Sequence, residues 1–128
     1  DPAALAVVPK AARLMEAVLR LDPAFEHSGA DLFFGVYYAS RPRIAGGAPG
    51  KALTHFTAAL ARTERRYLPA QYLMMRTYAA GELDEELFTR LGAEAAASDP
   101  AGLPDARLAN EVAKRKAKAL LEKKDELF

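Results

Sequence analysis

The stretch Gly46-Gly47-Ala48-Pro49-Gly50-Lys51 comes nearest in this chain to a phosphate-binding loop, in which glycine N–H groups cradle phosphates and a lysine reaches the terminal ones. Three features exclude that chemistry. Ala45 stands where the first glycine belongs, Ala52 replaces the hydroxyl residue that would hold magnesium, and the segment follows a helical pattern rather than a strand. It reads instead as a connector in which glycines permit positive φ and Pro49 opens the next helix. His27 and His55 are isolated, without a cysteine or a second histidine at i+3 or i+4, so no metal site is expected. No G-x-S-x-G and no serine, histidine and acid set appears. Glu85 and Glu86 read as first-turn partners of a helix dipole rather than as a general acid and base. These residues predict a binding protein, not an enzyme, and no cofactor.

Composition narrows the class further. Eighteen basic residues against 17 acidic ones leave a formal charge of +1, too balanced for the basic footprint of a nucleic-acid binder. With no cysteine, disulfides, iron–sulfur clusters and thiol catalysis are excluded. No apolar run approaches the roughly 20 residues that span a bilayer. The Lys124-Asp-Glu-Leu-Phe128 ending has a phenylalanine beyond the tetrapeptide of a retrieval signal, which is read only at the terminus. The run Lys114, Arg115, Lys116, Lys118, Lys123 and Lys124 reads as the solvated face of a final helix.

The elements that must carry these residues are helical. The pattern predicts an all-α chain of about six helices. The first spans Pro9 to Leu21, with Pro9 in its first turn and Leu14, Val18 and Leu21 at helical spacing. The second, Ala30 to Ser40, is apolar on nearly every side, as in a helix enclosed by others. The third starts at Pro49 and ends near Thr63, carrying Leu53, Phe56 and Leu60. The fourth runs from about Pro69 to Ala80 with Gly81 as its C-terminal cap. The fifth opens on Asp84 as N-cap. The last, about Asp105 to Leu127, places Leu108, Val112, Ala113, Ala117, Leu120, Leu121 and Leu127 on one inward stripe. Tyr37, Tyr38, Tyr72, Met74, Met75 and Tyr78 fall mostly in the core, with room for a small apolar cavity.

An internal echo sets the architecture. Ala30, Tyr38 and Ala39 recur 40 positions later as Ala70, Tyr78 and Ala79, and Leu14 to Leu21 resembles Leu53 to Leu60. Antiparallel helical hairpins stacked as TPR-like repeats account for this, each unit burying its apolar face on the next. The expected organisation is a single TPR-like helical domain over residues 1–128.

Several blocks carry a resemblance to a known family. They are Leu19-Arg-Leu-Asp-Pro23, Leu32-Phe-Phe-Gly-Val-Tyr-Tyr-Ala-Ser-Arg-Pro42, Gly46-Gly47 with Pro49 and Lys51-Ala52, and His55-Phe56 with Ala59-Leu60. Leu108-Ala-Asn110 through Ala113, Arg115 and Ala117 and the Asp125-Glu-Leu-Phe128 end complete the pattern. Together they make the chain similar to the T-component (TatT) proteins of tripartite ATP-independent periplasmic, or TRAP, transporters. The resemblance implies cryptic TPR-like units, a periplasmic lipoprotein anchored to the outer membrane, and an oligomer, specifically a trimer with a pore. It also implies the periplasmic TRAP solute-binding subunit as partner, a small hydrophobic or carboxylate ligand, and no catalytic residues. Two departures from the family pattern stand out: no lipidation cysteine and no signal peptide are seen, and members extend further at the N-terminus, so the chain looks like a C-terminal portion or a short member. The matching positions nominated for ligand or partner contact are Phe33, Phe34, Tyr37, Tyr38, Arg41, Arg43, Asn110 and Arg115, with Arg41 and Arg43 suited to a carboxylate. The alternative expectation is a general TPR-like scaffold that takes a peptide or helix in its groove.

Overall fold

A computed structural model describes the backbone of residues 2–128 and the side-chain environments of residues 9–128. It is all-α, with α1 at Pro2–Leu21, α2 at Phe25–Ser40, α3 at Pro49–Arg62, α4 at Leu68–Leu73, α5 at Glu85–Ala97, α6 at Arg107–Glu122 and α7 at Lys124–Leu127. No helix among the described residues is long and apolar enough to cross a membrane. α2 packs along α3 in the broadest helix pairing, α4 and α5 continue from it, and α6 lies across α4 and α5. The seventh helix arises because the predicted last helix breaks at Lys123, after which α7 brings the Phe128 ring edge-on to Phe88 at 5.0 Å.

Several boundaries differ from the sequence reading, each for a physical reason. α1 runs through Pro9 rather than starting on it. The fixed φ of proline is itself helical, so the loss is one amide hydrogen bond. α4 does not end on Gly81 as a left-handed cap. It widens into a π-helix over Met74–Ala79, which turns the adjacent Met74 and Met75 both inward, and the left-handed stop falls on Leu83 at φ 54°. The Asp84 amide then closes the turn on the Ala79 carbonyl at 2.9 Å, while the Asp84 carboxylate caps α5 by accepting from the Leu87 amide at 3.0 Å. The expected inward stripe of α6 is only half right: Leu108 and Val112 are 75% and 43% exposed, and Leu127 is also exposed. Asn110, Ala113 and Ala117 take the inward face, because the small side chains let α6 approach closely and Asn110 has backbone groups to bind there. Leu14 and Leu21 of α1 are likewise exposed.

Close approach fixes the α2–α3 pairing. A Cβ on Gly35 would lie 2.8 Å from the Phe56 ring, so the bare backbone at 35 lets the fully buried Phe56 sit against α2. Beside this contact lies a buried charge. Asp31 is 3% exposed; its Oδ2 accepts from the Arg62 guanidinium at 2.6 Å, and its Oδ1 lies 2.8 Å from Nδ1 of His55. The same Arg62 nitrogen reaches Ser28 Oγ at 3.0 Å and the Pro23 carbonyl at 3.3 Å. These bonds draw the α1–α2 junction onto α3, although Glu26, His27 and Ser28 at the start of α2 all adopt left-handed φ of 50–65°. Each such residue costs roughly 1–2 kcal/mol.

Two amide side chains fix the next turn, Thr63 to Tyr67. Asn110 Oδ1 accepts from the Leu68 amide at 2.9 Å, and its Nδ2 donates to the Arg66 and Pro100 carbonyls at 2.9 and 3.1 Å. Gln71 donates to the Arg65 carbonyl at 3.0 Å. On the outside of this turn Arg65 grips Glu94 of α5 with two bonds of 2.6 and 2.7 Å. Burial pushes the Glu94 carboxyl up, but the Arg65 hydrogen bond and charge, joined by Gln71 and Arg90, outweigh it and leave the pKa below the ordinary carboxylate value. The Arg65 pKa is raised in turn, chiefly by its hydrogen bond to Glu94.

Two predictions follow from these charges. Asp31→Asn leaves Arg62 facing a neutral group in a half-buried setting and should cost about 2–4 kcal/mol in chemical denaturation; a loss under about 0.5 kcal/mol would show the pair to be idle. Because the folded pKa of Glu94 is lowered, its pairing stabilises the fold above the unfolded carboxylate pKa and is lost as pH falls through the lowered value. Denaturation of Glu94→Gln should therefore show a deficit near neutral pH that closes in the acid range, whereas a pH-independent deficit would rule out the charge as its source.

Candidate functional site

Phe33 and Tyr37 lie one helical turn apart on the outer side of α2, and Arg41, which ends the helix in an extended conformation, continues their row. The Phe33 and Tyr37 rings are stacked at 6.2 Å and 24°, and the Arg41 guanidinium sits over the Tyr37 ring at 4.2 Å. Beneath this row opens a groove of about 600 Å³, lined among the described residues by Gly29, Leu32, Phe33, Val36, Tyr37, Ser40 and Arg41 of α2 or its end and by Leu73 of α4. It is an open channel of carbon atoms with a cation at one end. A second, polar cleft of about 210 Å³ adjoins the same end, lined by Arg41, Arg43, Tyr78 and Glu82 together with Ala39, Pro42, Pro49 and Gly81. Burial first, then the Glu82 and Asp84 carboxylates, pushes the Tyr78 pKa up.

The Gly46-Gly47 segment holds this end in place. Arg43–Ala45 forms one turn of 3-10 helix, and Gly46 closes it at φ 98°. The Gly47 amide donates to the Pro42 carbonyl at 2.9 Å and the Ala48 amide to the Tyr38 carbonyl at 3.0 Å. A Cβ on Gly47 would fall 1.8 Å from the Arg41 carbonyl oxygen, so only glycine fits against that backbone. The glycine pair, dismissed above as a phosphate loop, positions Arg41-Pro42-Arg43.

The nominated residues thus separate. Phe33, Tyr37 and Arg41 share the groove, and Arg43 joins Arg41 in the cleft. Phe34 is 3% exposed and packs inward beside His55 and Tyr38. Tyr38 stacks on His55 at 5.8 Å, with the Lys51 ammonium over its ring at 5.4 Å. Asn110 is fully buried with its amide engaged by the backbone, and Arg115 stands exposed on α6, away from the groove lining. Leu32, Val36 and Leu73 line the groove without having been singled out; their signal was only apolar character, which core residues share. His27 pairs with Asp105 at 3.2 Å and stacks on Tyr67. Among the described residues no group of three or more His, Asp or Glu could hold a metal ion.

Gly47→Ala should lower stability by about 1–3 kcal/mol and expose the Arg43–Ile44 bond to trypsin. Gly50→Ala, with open space around its Cβ, should do neither. Equal tryptic rates in wild type and Gly47→Ala would mean that the loop does not depend on the glycine.

No curated protein matches the chain. The model of one family, described as TRAP transporter T-component, matches residues 1–128, the whole chain. The protein therefore belongs to the TRAP transporter T-component family, whose role is that of an accessory to TRAP solute transport.

Proposed function

We propose that the chain is a non-catalytic, periplasmic T-component that docks the solute-binding subunit of its TRAP system and holds a small hydrophobic or carboxylate ligand in the α2 groove. The observation that carries the ligand half is the open apolar channel ending at Arg41. A groove of about 600 Å³ falls in the range of small-molecule sites, roughly 300–1,000 Å³. Membership of the family supports the transport half. On this reading the helices stack as TPR-like hairpins in one domain over residues 1–128, the mature protein reaches the outer membrane through a lipid anchor, and copies associate as a trimer.

A second reading, a peptide-binding scaffold of TPR type, draws on a different feature. A cleft of about 320 Å³ between α3 and α5 is lined by Leu53, Thr57, Leu60, Met74, Tyr78, Leu87 and Leu91, with Arg65, Asp84 and Arg90 among its polar groups. Such a cleft suits an extended segment with apolar side chains.

Affinity capture with the purified chain distinguishes the two. The TRAP solute-binding subunit of the same organism, expressed separately, should bind in a pairwise assay. Failure of that subunit to bind, with or without its own solute, would remove the docking role. Native mass spectrometry of the same preparation reads the number of chains and should give three.

A further inference from the structure

The groove and the polar cleft meet at Arg41, which lines both, and this junction specifies more than a generic ligand. Among the described residues, neither Arg41 nor Arg43 forms an ion pair, although most other arginines near the helix ends do. Among the described residues that line the cleft, two guanidiniums face one carboxylate, Glu82, so the lining itself carries more positive than negative charge. On the other side of Arg41 the described lining, mainly Leu32, Phe33, Val36 and Leu73 with the hydroxyls of Tyr37 and Ser40, offers no cation to a second carboxylate. The guanidinium already rests on the Tyr37 face at 4.2 Å, which restrains it and leaves its edge nitrogens for a planar acceptor.

We propose that this composite site takes a single-headed organic anion: one carboxylate held at Arg41, with Arg43 and the Tyr78 hydroxyl nearby, and an uncharged hydrocarbon tail laid along the Phe33–Tyr37 row. The inference rests on the ligand-holding half of the function proposed above and narrows it. Neutral apolar molecules lose the head contact. Dicarboxylates find no cation along the described groove lining for their second charge, and short polar acids leave the groove unfilled. The Gly46-Gly47 turn acts on this site as a positioning element, since it fixes the Arg41-Pro42-Arg43 backbone without touching the ligand.

Titration calorimetry with decanoate, decanol and decanedioate as probes tests the assignment. Decanoate should bind at least about tenfold more tightly than decanol or decanedioate, the gain of a charge-assisted hydrogen bond. From hexanoate to decanoate, affinity should rise by up to about fourfold per methylene until the groove is full. Arg41→Gln should erase the preference of decanoate over decanol while decanol still binds, and Arg41→Lys should restore part of it. If Arg41→Gln fails to fold by circular dichroism, Arg43→Gln, an exposed position, must reduce the same preference. Equal binding of decanoate and decanol, an Arg41→Gln protein with the preference intact, or no binding of any probe would each overturn the inference. So would a peptide with an apolar C-terminal residue binding at Arg41 more tightly than decanoate, which would assign the site to a protein. Loss of decanoate binding with capture of the solute-binding subunit intact would count against this inference alone. Loss of capture with decanoate still bound would count against the transport reading and leave the site standing.

Discussion

A carboxylate at 3% exposure, Asp31, sets the terms for the rest of the molecule. An unpaired charge there would be untenable, and the two groups that meet it, Arg62 and His55, both come from α3. This orients α2 about its axis. With Asp31, Gly35 and Phe34 turned toward α3, the residues left facing away are Phe33, Tyr37 and Arg41, and the groove is the consequence. The same Arg62 spans to Pro23 and Ser28, so the strained left-handed segment at the start of α2 is held by the side chain that orients the helix. The direction in which the groove faces and the stability of the turn are two results of one ion pair.

The helices were legible in the sequence because periodicity and terminators agree: Pro49 begins α3 and Asp84 caps α5, both as expected. Asp31 was not legible as a core residue. A lone acid in an apolar run looks the same whether it turns to solvent or to a partner 31 residues away, and only the packed structure distinguishes them. The failure at α6 has the same origin. Apolar periodicity nominated Leu108 and Val112, whereas the inward position went to a polar residue whose partners, the Arg66 carbonyl and the Leu68 amide, lie in another turn. The π-helix at Met74–Ala79 left no trace in the pattern, because a regular helix such as α3 also buries adjacent residues, Ala59 and Leu60.

For the site, spacing along one helix was enough to join Phe33, Tyr37 and Arg41, since residues four apart share a face. It was not enough to separate Phe34, which is as apolar as its neighbour and turns the other way. The glycine pair was recognised as a connector, but its reason, a carbonyl of Arg41 where a side chain would stand, required the loop's path in three dimensions.

The Asn110 amide joins the Thr63–Tyr67 turn to a helix more than 40 residues further on. The turn therefore cannot reach its final form by local folding: the Leu68 amide and the Arg66 carbonyl stay with water until α6 docks. Those bonds close a long loop, which costs entropy that local contacts do not. α6 thus works as a fastener between distant parts of the chain, and without it the Leu68 amide and the Arg66 carbonyl would lack their side-chain partner.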